Sequence, residues 1–462
     1  MRLLYFGAGL AALLAIVVGT TAWLTGHQIE RGFVRSFEPL THHGLEVTLL
    51  DYQRGWLSSQ ARTRWTLRHE SEPVHMDVHH TIQHGPLPTG RFAHIRSTFQ
   101  PTPALHEVFG QETFDDAAPP LLVLSSLGWQ GSHEHVLSSP VLRGHVDDLE
   151  LFWGGLAATV HVNADGTRTS GTLTAPLIRV TDKVGGEMSI EQVHGEFDNV
   201  RSNESRLWTG PASFEIDRIH ARDPAEDLKL ELNGILLTAD SSIQGEVLDL
   251  TGAVEAQRVR FAPYDIARLK LHLHLARLDA DALDVLARQS ADTALLHLPP
   301  EAHHEALAAL FEQQLPHLLA RGPYLEIERF GGFLSDAGEF ALSARIGHAP
   351  ATRLDLFNRL GVVIDAHVPR PFMRALLAEH HHDDAAAQAR ARGVELDTEE
   401  FAALLERSVE RHVAELEGMN LIVENEHQWN SEVRFENGRL HLNGVPADEW
   451  LFLLLGALLL QP

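Results

Sequence analysis

Histidine is the residue type with the most chemical potential in this chain, occurring 30 times in 462 residues. Imidazole can ligate a metal, relay a proton or titrate near neutral pH. The run His75-x-Asp77-x-His79 puts three potential ligands on one face of a strand, because side chains two apart point the same way. No separate third histidine or acid is identifiable, so the spacing alone assigns no metal. His380-His381-His382-Asp383-Asp384 is denser in donors. Consecutive helical residues diverge by about 100°, so these imidazoles do not converge on one ion within a helix. His303-His304-Glu305 lacks the H-E-x-x-H spacing of a zinc hydrolase and belongs on a helix's wet face.

Nucleophile and phosphate motifs are missing. There is no G-x-S-x-G elbow, no P-loop and no G-x-G-x-x-G opening a helix. Cysteine is absent, which excludes disulfides, iron–sulfur clusters and a thiolate nucleophile. The adjacent acids Asp115-Asp116, Asp147-Asp148 and Asp383-Asp384 read as solvated surface on an acidic chain. The expectation is a protein with no catalytic residues, metal or cofactor.

Two short segments carry geometry instead of reactivity. In Tyr52-Gln53-Arg54-Gly55-Trp56-Leu57-Ser58-Ser59, the glycine permits a bend or bulge between two strands. Arg54 can lie across Tyr52 or Trp56, or pair with a carboxylate. His84-Gly85-Pro86 reads as a strand-ending turn, since proline cannot continue a ladder and glycine frees φ. Tyr52, Arg54, Gly55, Ser58, Ser59, His84, Gly85 and Pro86 are therefore expected to serve structure.

These segments sit inside a run of strands. Val74, Met76, Val78 and Ile82 alternate with His75, Asp77, His79, Thr81 and Gln83, giving one apolar face. The pattern recurs over 45–275, with Asn163-Ala164-Asp165-Gly166 as a tight turn. Strands return around 322–368 and 420–444. Helical periodicity occupies 279–321, where Pro316 predicts a kink, and 370–418. There Phe401, Leu404, Leu405, Val409, Val413 and Leu416 form one stripe, between an Asp397/Glu400 capping box and a Gly418 stop. Ahead of everything, residues 3–24 run 22 positions without charge, long enough to span a bilayer. The apolar tail in 447–460 is too short to span and reads as a docked or interfacial helix.

The fold class that follows is α+β and mainly β. An N-terminal transmembrane helix precedes an elongated, curved antiparallel β-sheet body with helices clustered in the second half. The organisation is an anchor at 1–25, a β-rich part at 26–278 and a helix-plus-strand part of the same body at 279–462. With 37 basic against 63 acidic residues the net charge is −26, which argues against nucleic acid as a partner. Protonating every histidine would carry that charge to +4, so the surface depends steeply on mildly acid pH.

Five segments together resemble the YdgA-like family of bacterial envelope proteins, a family of unknown function. They are WLTGHQIE at 23–30, YQRGWLSSQ at 52–60, QHGPLP at 83–88, LPHLLARGPYLEIE at 315–328 and ENGRLHLNG at 436–444. The resemblance implies a single-pass bacterial inner-membrane protein, held by residues 3–24, with its body in the periplasm. It supplies no activity. The expected role is non-enzymatic: binding a lipid or other apolar ligand in a β-groove. The alternative is an envelope protein–protein interaction or structural module, as a homo-oligomer or with another envelope protein. The apolar tail departs from the family's usual ending.

Overall fold

The computed structural model describes residues 45–67, 74–85, 90–110, 119–201, 207–224, 228–261, 264–290, 300–335, 337–348, 359–392, 395, 399–425 and 427–447. The expected anchor at 3–24, Pro86, Asp397 and the tail beyond Ala447 lie outside them. Among the described residues, no helix is long and apolar enough to cross a membrane.

The chain divides into two units, Met1–Lys229 with Asp281–Gln314, and Leu230–Ala280 with Leu315–Pro462. The first carries β1 (Leu45–Arg54), β2 (Ser58–Leu67), β3 (Val74–His84), β4 (Ala93–Phe99), β5 (Leu122–Leu127), β6 (His133–Ser139), β7 (Leu142–Val146), β8 (Leu149–Trp153), β9 (Leu156–Val162), β10 (Arg168–Asp182), β11 (Glu187–Arg201), β12 (Trp208–Thr209) and β13 (Ala212–Asp223). They pair antiparallel in the order β1-β2-β3-β4-β5-β6-β9-β10-β11-β13. The β7–β8 hairpin lies along the far half of β10, and β12 lies on β11.

Period-2 patterning explains why these segments form strands with one inner face. On β3, Val78, His80, Ile82 and His84 are buried while His75, His79, Thr81 and Gln83 are exposed. The turns follow local chemistry. Gly166 takes φ +68° in the Asn163–Gly166 turn, where Asn163 Oδ1 accepts from the amides of Thr167 and Arg168 at 2.9 Å. A short helix, α1 (Pro103–Phe109), interrupts the strand window; Thr102 caps it by accepting from the Leu105 amide, and Pro103 opens its first turn.

The second unit carries β14 (Leu228–Gln244), β15 (Val247–Phe261), β16 (Tyr264–Asp279), β17 (Tyr324–Leu334), β18 (Gly338–His348), β19 (Leu360–Pro369), β20 (Val423–Glu424), β21 (Gln428–Glu436), β22 (Arg439–Leu442) and β23 (Val445–Pro446). Their antiparallel order is β14-β15-β16-β17-β18-β19-β21-β22-β23, with β20 also on β21. Between β16 and β17 the chain forms α2 (Ala280–Ser290) and α3 (Pro300–Leu319), the latter containing Pro316. Asn437 and Gly438 both adopt left-handed φ, making the two-residue turn that joins β21 to β22.

Helices α4 (Arg370–Arg392) and α5 (Glu399–Gly418) pack as a pair. Ala385, Ala386 and Ala389 let them approach closely against Phe401 and Leu404, and Leu377, Val409 and Val413 meet Ile422 and Trp429. One local expectation is met only in part. Gly418 is the last residue of α5, but it is not the left-handed one: that is Asn420 at φ 54°, with the Leu421 amide bonded to the Leu416 carbonyl.

Candidate functional site

The two motif segments meet at one end of the β1–β2–β3 ladder. Gly55 donates its amide to the Ser58 carbonyl at 2.9 Å, so Trp56 and Leu57 form a two-residue hairpin loop. A Cβ on Gly55 would stand 2.5 Å from that carbonyl oxygen, which is why the position needs glycine. The expected bend at Gly55 is thus a tight turn, and the register shift in this hairpin lies between Leu49 and Asp51 instead. The His84 amide donates to the Leu57 carbonyl at 2.9 Å, tying β3 to the hairpin loop. Gly85 follows, with its amide on the Phe92 carbonyl; a Cβ there would fall 1.9 Å from the Arg91 carbonyl oxygen. Tyr52 packs on the Ala61, Ile82 and Ala93 cluster. Arg54 is exposed beside the turn and opposite Ser59 in register, and Ser58 is exposed.

Inside that turn, Ser59 Oγ and His84 Nε2 lie 2.9 Å apart, and His84 Nδ1 lies 3.3 Å from the Trp56 carbonyl. A carbonyl only accepts, so Nδ1 carries the proton and Nε2 accepts from the Ser59 hydroxyl. Burial holds the His84 pKa below its ordinary value, against the Trp56 carbonyl and together with the nearby Arg54 charge. A serine bonded to an imidazole is the opening pair of nucleophilic catalysis. Here Ser59 is 1% and His84 3% exposed, and the group behind the imidazole is a main-chain carbonyl instead of a carboxylate. A substrate carbonyl cannot reach Oγ in this arrangement, and the pair acts as a tie between strand and hairpin.

One register step along, the same inner face holds a longer chain of polar side chains. Trp65 Nε1 donates to Thr63 Oγ1 at 3.0 Å, Thr63 Oγ1 is 2.8 Å from His80 Nε2, and His80 Nδ1 is 2.8 Å from Ser97 Oγ. With the tryptophan as fixed donor, one set of directions uses the protons of Trp65, Thr63 and His80: Trp65 to Thr63, Thr63 to His80, His80 to Ser97. Thr63 is 1% and His80 3% exposed. Burial, with a smaller contribution from His79, pushes the His80 pKa down to about 4. Farther across the sheet Ser125 Oγ meets His135 Nδ1 at 2.8 Å, and burial again lowers the His135 pKa. Alternation along the strands does not by itself single out Ser97 and Ser125. Their signal was the position of each hydroxyl on the buried parity of its strand.

Two of the outward-facing groups on β3, His75 and Asp77, are engaged elsewhere. Arg64 grips both oxygens of Asp77, at 2.7 and 3.1 Å, and that bond holds the Asp77 carboxyl below the usual range. His75 Nδ1 sits 3.0 Å from Thr66 Oγ1. The His380–His382 run lies within α4, where His381 Nε2 reaches His412 Nδ1 of α5 at 3.1 Å. Among the described residues, no group of three or more His, Asp or Glu side chains is placed to hold a metal ion.

The fold and its inner polar network define a mainly β protein built on large antiparallel sheets. By sequence the chain belongs to the family described as bacterial protein of unknown function (DUF945), which matches residues 1–449. No curated protein and no solved structure matches it.

Proposed function

We propose that this chain is a non-enzymatic protein of the bacterial envelope, tethered to the inner membrane by residues 3–24 with its body in the periplasm, that holds an acyl chain or similar apolar ligand against the inner face of the first unit's sheet. The YdgA-like motifs and the uncharged 22-residue stretch support the location. One observation carries the ligand class. A single row of residues runs in register across ten strands: Tyr52, Ala61, His80, Ser97, Val123, Leu137, Ala158, Leu173, Gly195 and Phe214. At the β2–β4 end this face is buried, with Ala61 at 4% and His80 at 3% exposure; at the β13 end Phe214 is 41% exposed.

The open end has an aromatic floor. A Cβ on Gly195 would meet the Phe214 ring at 2.7 Å and one on Gly171 the Phe197 ring at 2.9 Å, so each phenyl lies across its neighbour's glycine. The opposite face there presents Thr172, Thr174, His194, Glu196 and Glu215, all exposed. An apolar strip backed by a wet face suits a chain-like apolar ligand. The test is organic extraction of the detergent-purified chain followed by mass spectrometry, beside Phe214→Glu. Acyl species enriched over a detergent blank and reduced in the variant are expected; a blank-level extract refutes the reading.

A second reading, an envelope interaction module, rests on the hairpin tip, where Trp56 and Leu57 stand 69% and 60% exposed. Crosslinking from position 56 that captures a defined envelope protein, or a second copy, would favour it.

A further inference from the structure

In the second unit a cavity of about 480 Å³ opens at one end of the adjacent strands β16 to β19. That size falls in the range of small-molecule sites, about 300–1,000 Å³. Its charge is opposite to that of the chain. Arg277, Arg345 and Arg359 line it with a single carboxylate, Glu436, in a protein whose net charge is −26.

The strand register explains how the space arises. Ala276, Tyr324, Gly347 and Gly361 pair side by side across β16, β17, β18 and β19. Three small residues around one tyrosine leave a floor without side chains. A Cβ on Gly361 would find only the Gly347 carbonyl oxygen, at 3.9 Å. Tyr324 forms the wall, with the Arg345 guanidinium 4.2 Å from its ring centroid and His274 edge-on at 5.4 Å. Arg345 directly faces Glu326 in register, yet among the described residues it forms no ion pair with a carboxylate. Arg277 is fixed at the rim by its backbone: it takes φ 61°, and its amide donates to Asp249 Oδ1 at 2.8 Å. His348 also borders the cavity, 8% exposed, with neither ring nitrogen hydrogen-bonded among the described residues. Buried polar groups in that condition ordinarily have a water or ligand partner.

We propose that this cavity binds a phosphate monoester dianion. Arginines outnumber carboxylates in the lining, which suits an anion, and a phosphate monoester offers three oxygens to their guanidinium forks. Planar guanidinium forks bond phosphate oxygens in pairs, and Arg345, stacked on Tyr324, is pre-oriented to do so. The remainder of the ligand lies over the Gly347–Gly361 floor. The phosphate can belong to a soluble molecule or to a lipid headgroup; the site recognises the same group in both.

The experiment is isothermal titration of the full chain in detergent with glycerol phosphate in one arm and short-chain phosphatidic acid in the other. Variants are Arg345→Gln, Gly361→Val, which fills the floor without removing charge, and Arg62→Ala as a control on the first unit. Saturable binding in at least one arm is expected, weakened about tenfold or more by Arg345→Gln and by Gly361→Val and unchanged by Arg62→Ala. Binding of glycerol phosphate supports the proposal with a soluble source, and binding of phosphatidic acid alone supports it with a lipid source. Circular dichroism melting establishes that both cavity variants are folded. Absence of saturable binding in both arms overturns the proposal, as does binding that folded Arg345→Gln and Gly361→Val leave intact. Acyl-chain capture by the first unit is read by extraction and stands or falls separately.

Discussion

Replacing His80 by glutamine should flatten the acid end of the protein's stability curve. The native pKa of His80 is about 4, against 6.5 for an unburied imidazole. Its folded form therefore binds fewer protons than the unfolded chain throughout the window between those values. Stability is complete above pH 6.5 and drains as pH falls toward 4. The shift of about 2.5 units corresponds to about 3 kcal/mol in full, of which about 2 kcal/mol is lost between pH 7.5 and pH 5. The hydrogen-bond chain adds a structural reason. A proton on Nε2 would turn Thr63 Oγ1 into an acceptor from both His80 and Trp65, stranding the threonine's own proton. Urea unfolding of wild type and His80→Gln, followed by circular dichroism at pH 7.5, 6.5, 5.5 and 5, separates this effect from the other titrating groups, which cancel in the difference. Glutamine will cost stability at pH 7.5, but the gap between the two proteins should narrow by about 2 kcal/mol by pH 5. Parallel curves over that range would refute a buried neutral His80.

Other substitutions probe the same framework. Gly85→Ala drives a Cβ to 1.9 Å from the Arg91 carbonyl oxygen, and a loss of about 3 kcal/mol or more is expected by denaturant titration. Ser59→Ala leaves the buried Nε2 of His84 without its donor, a cost of about 1–3 kcal/mol in the same assay, with the His84 ring titration moved in NMR spectra. Trp429→Ala empties the centre of the cluster under α4 and α5, with an expected cost of about 3–5 kcal/mol and a lowered melting temperature.

Much of the fold was legible because it rests on periodicity. Alternation on β3, the Asn163–Gly166 turn and the buried stripe of α5 can each be read from residues close in sequence. Helix α1 was not, since seven residues between strands offer too short a window; its usable sign was Thr102-Pro103, a cap followed by proline. The end of α5 at Gly418 was legible, but its left-handed residue was not, because glycine outranks asparagine there whereas the chain uses Asn420. At the site, Ser59 and His84 were both marked, but their contact spans 25 positions and depends on the pairing of β2 with β3. The arginine cavity is less legible still. Arg277, Arg345 and Arg359 share no spacing and come together only through the register of four strands.

The order in which the chain visits its two units has a consequence for biosynthesis. After Lys229 the polypeptide leaves the first unit, lays down β14 to β16, returns for Asp281–Gln314, and only then completes the second. During vectorial emergence, the β17 edge of β16 stays unpaired until Tyr324 and the strand behind it arrive, while the first unit cannot finish before residue 314. Closing that detour carries the entropy of a loop of some 50 residues, although loop cost grows only logarithmically with length. An unpaired strand edge in the meantime is a template for wrong partners. A gene cut at residue 229 therefore yields two unequal products: the first lacks Asp281–Gln314 of its own unit, whereas the second holds all of its unit with that piece carried as an insertion.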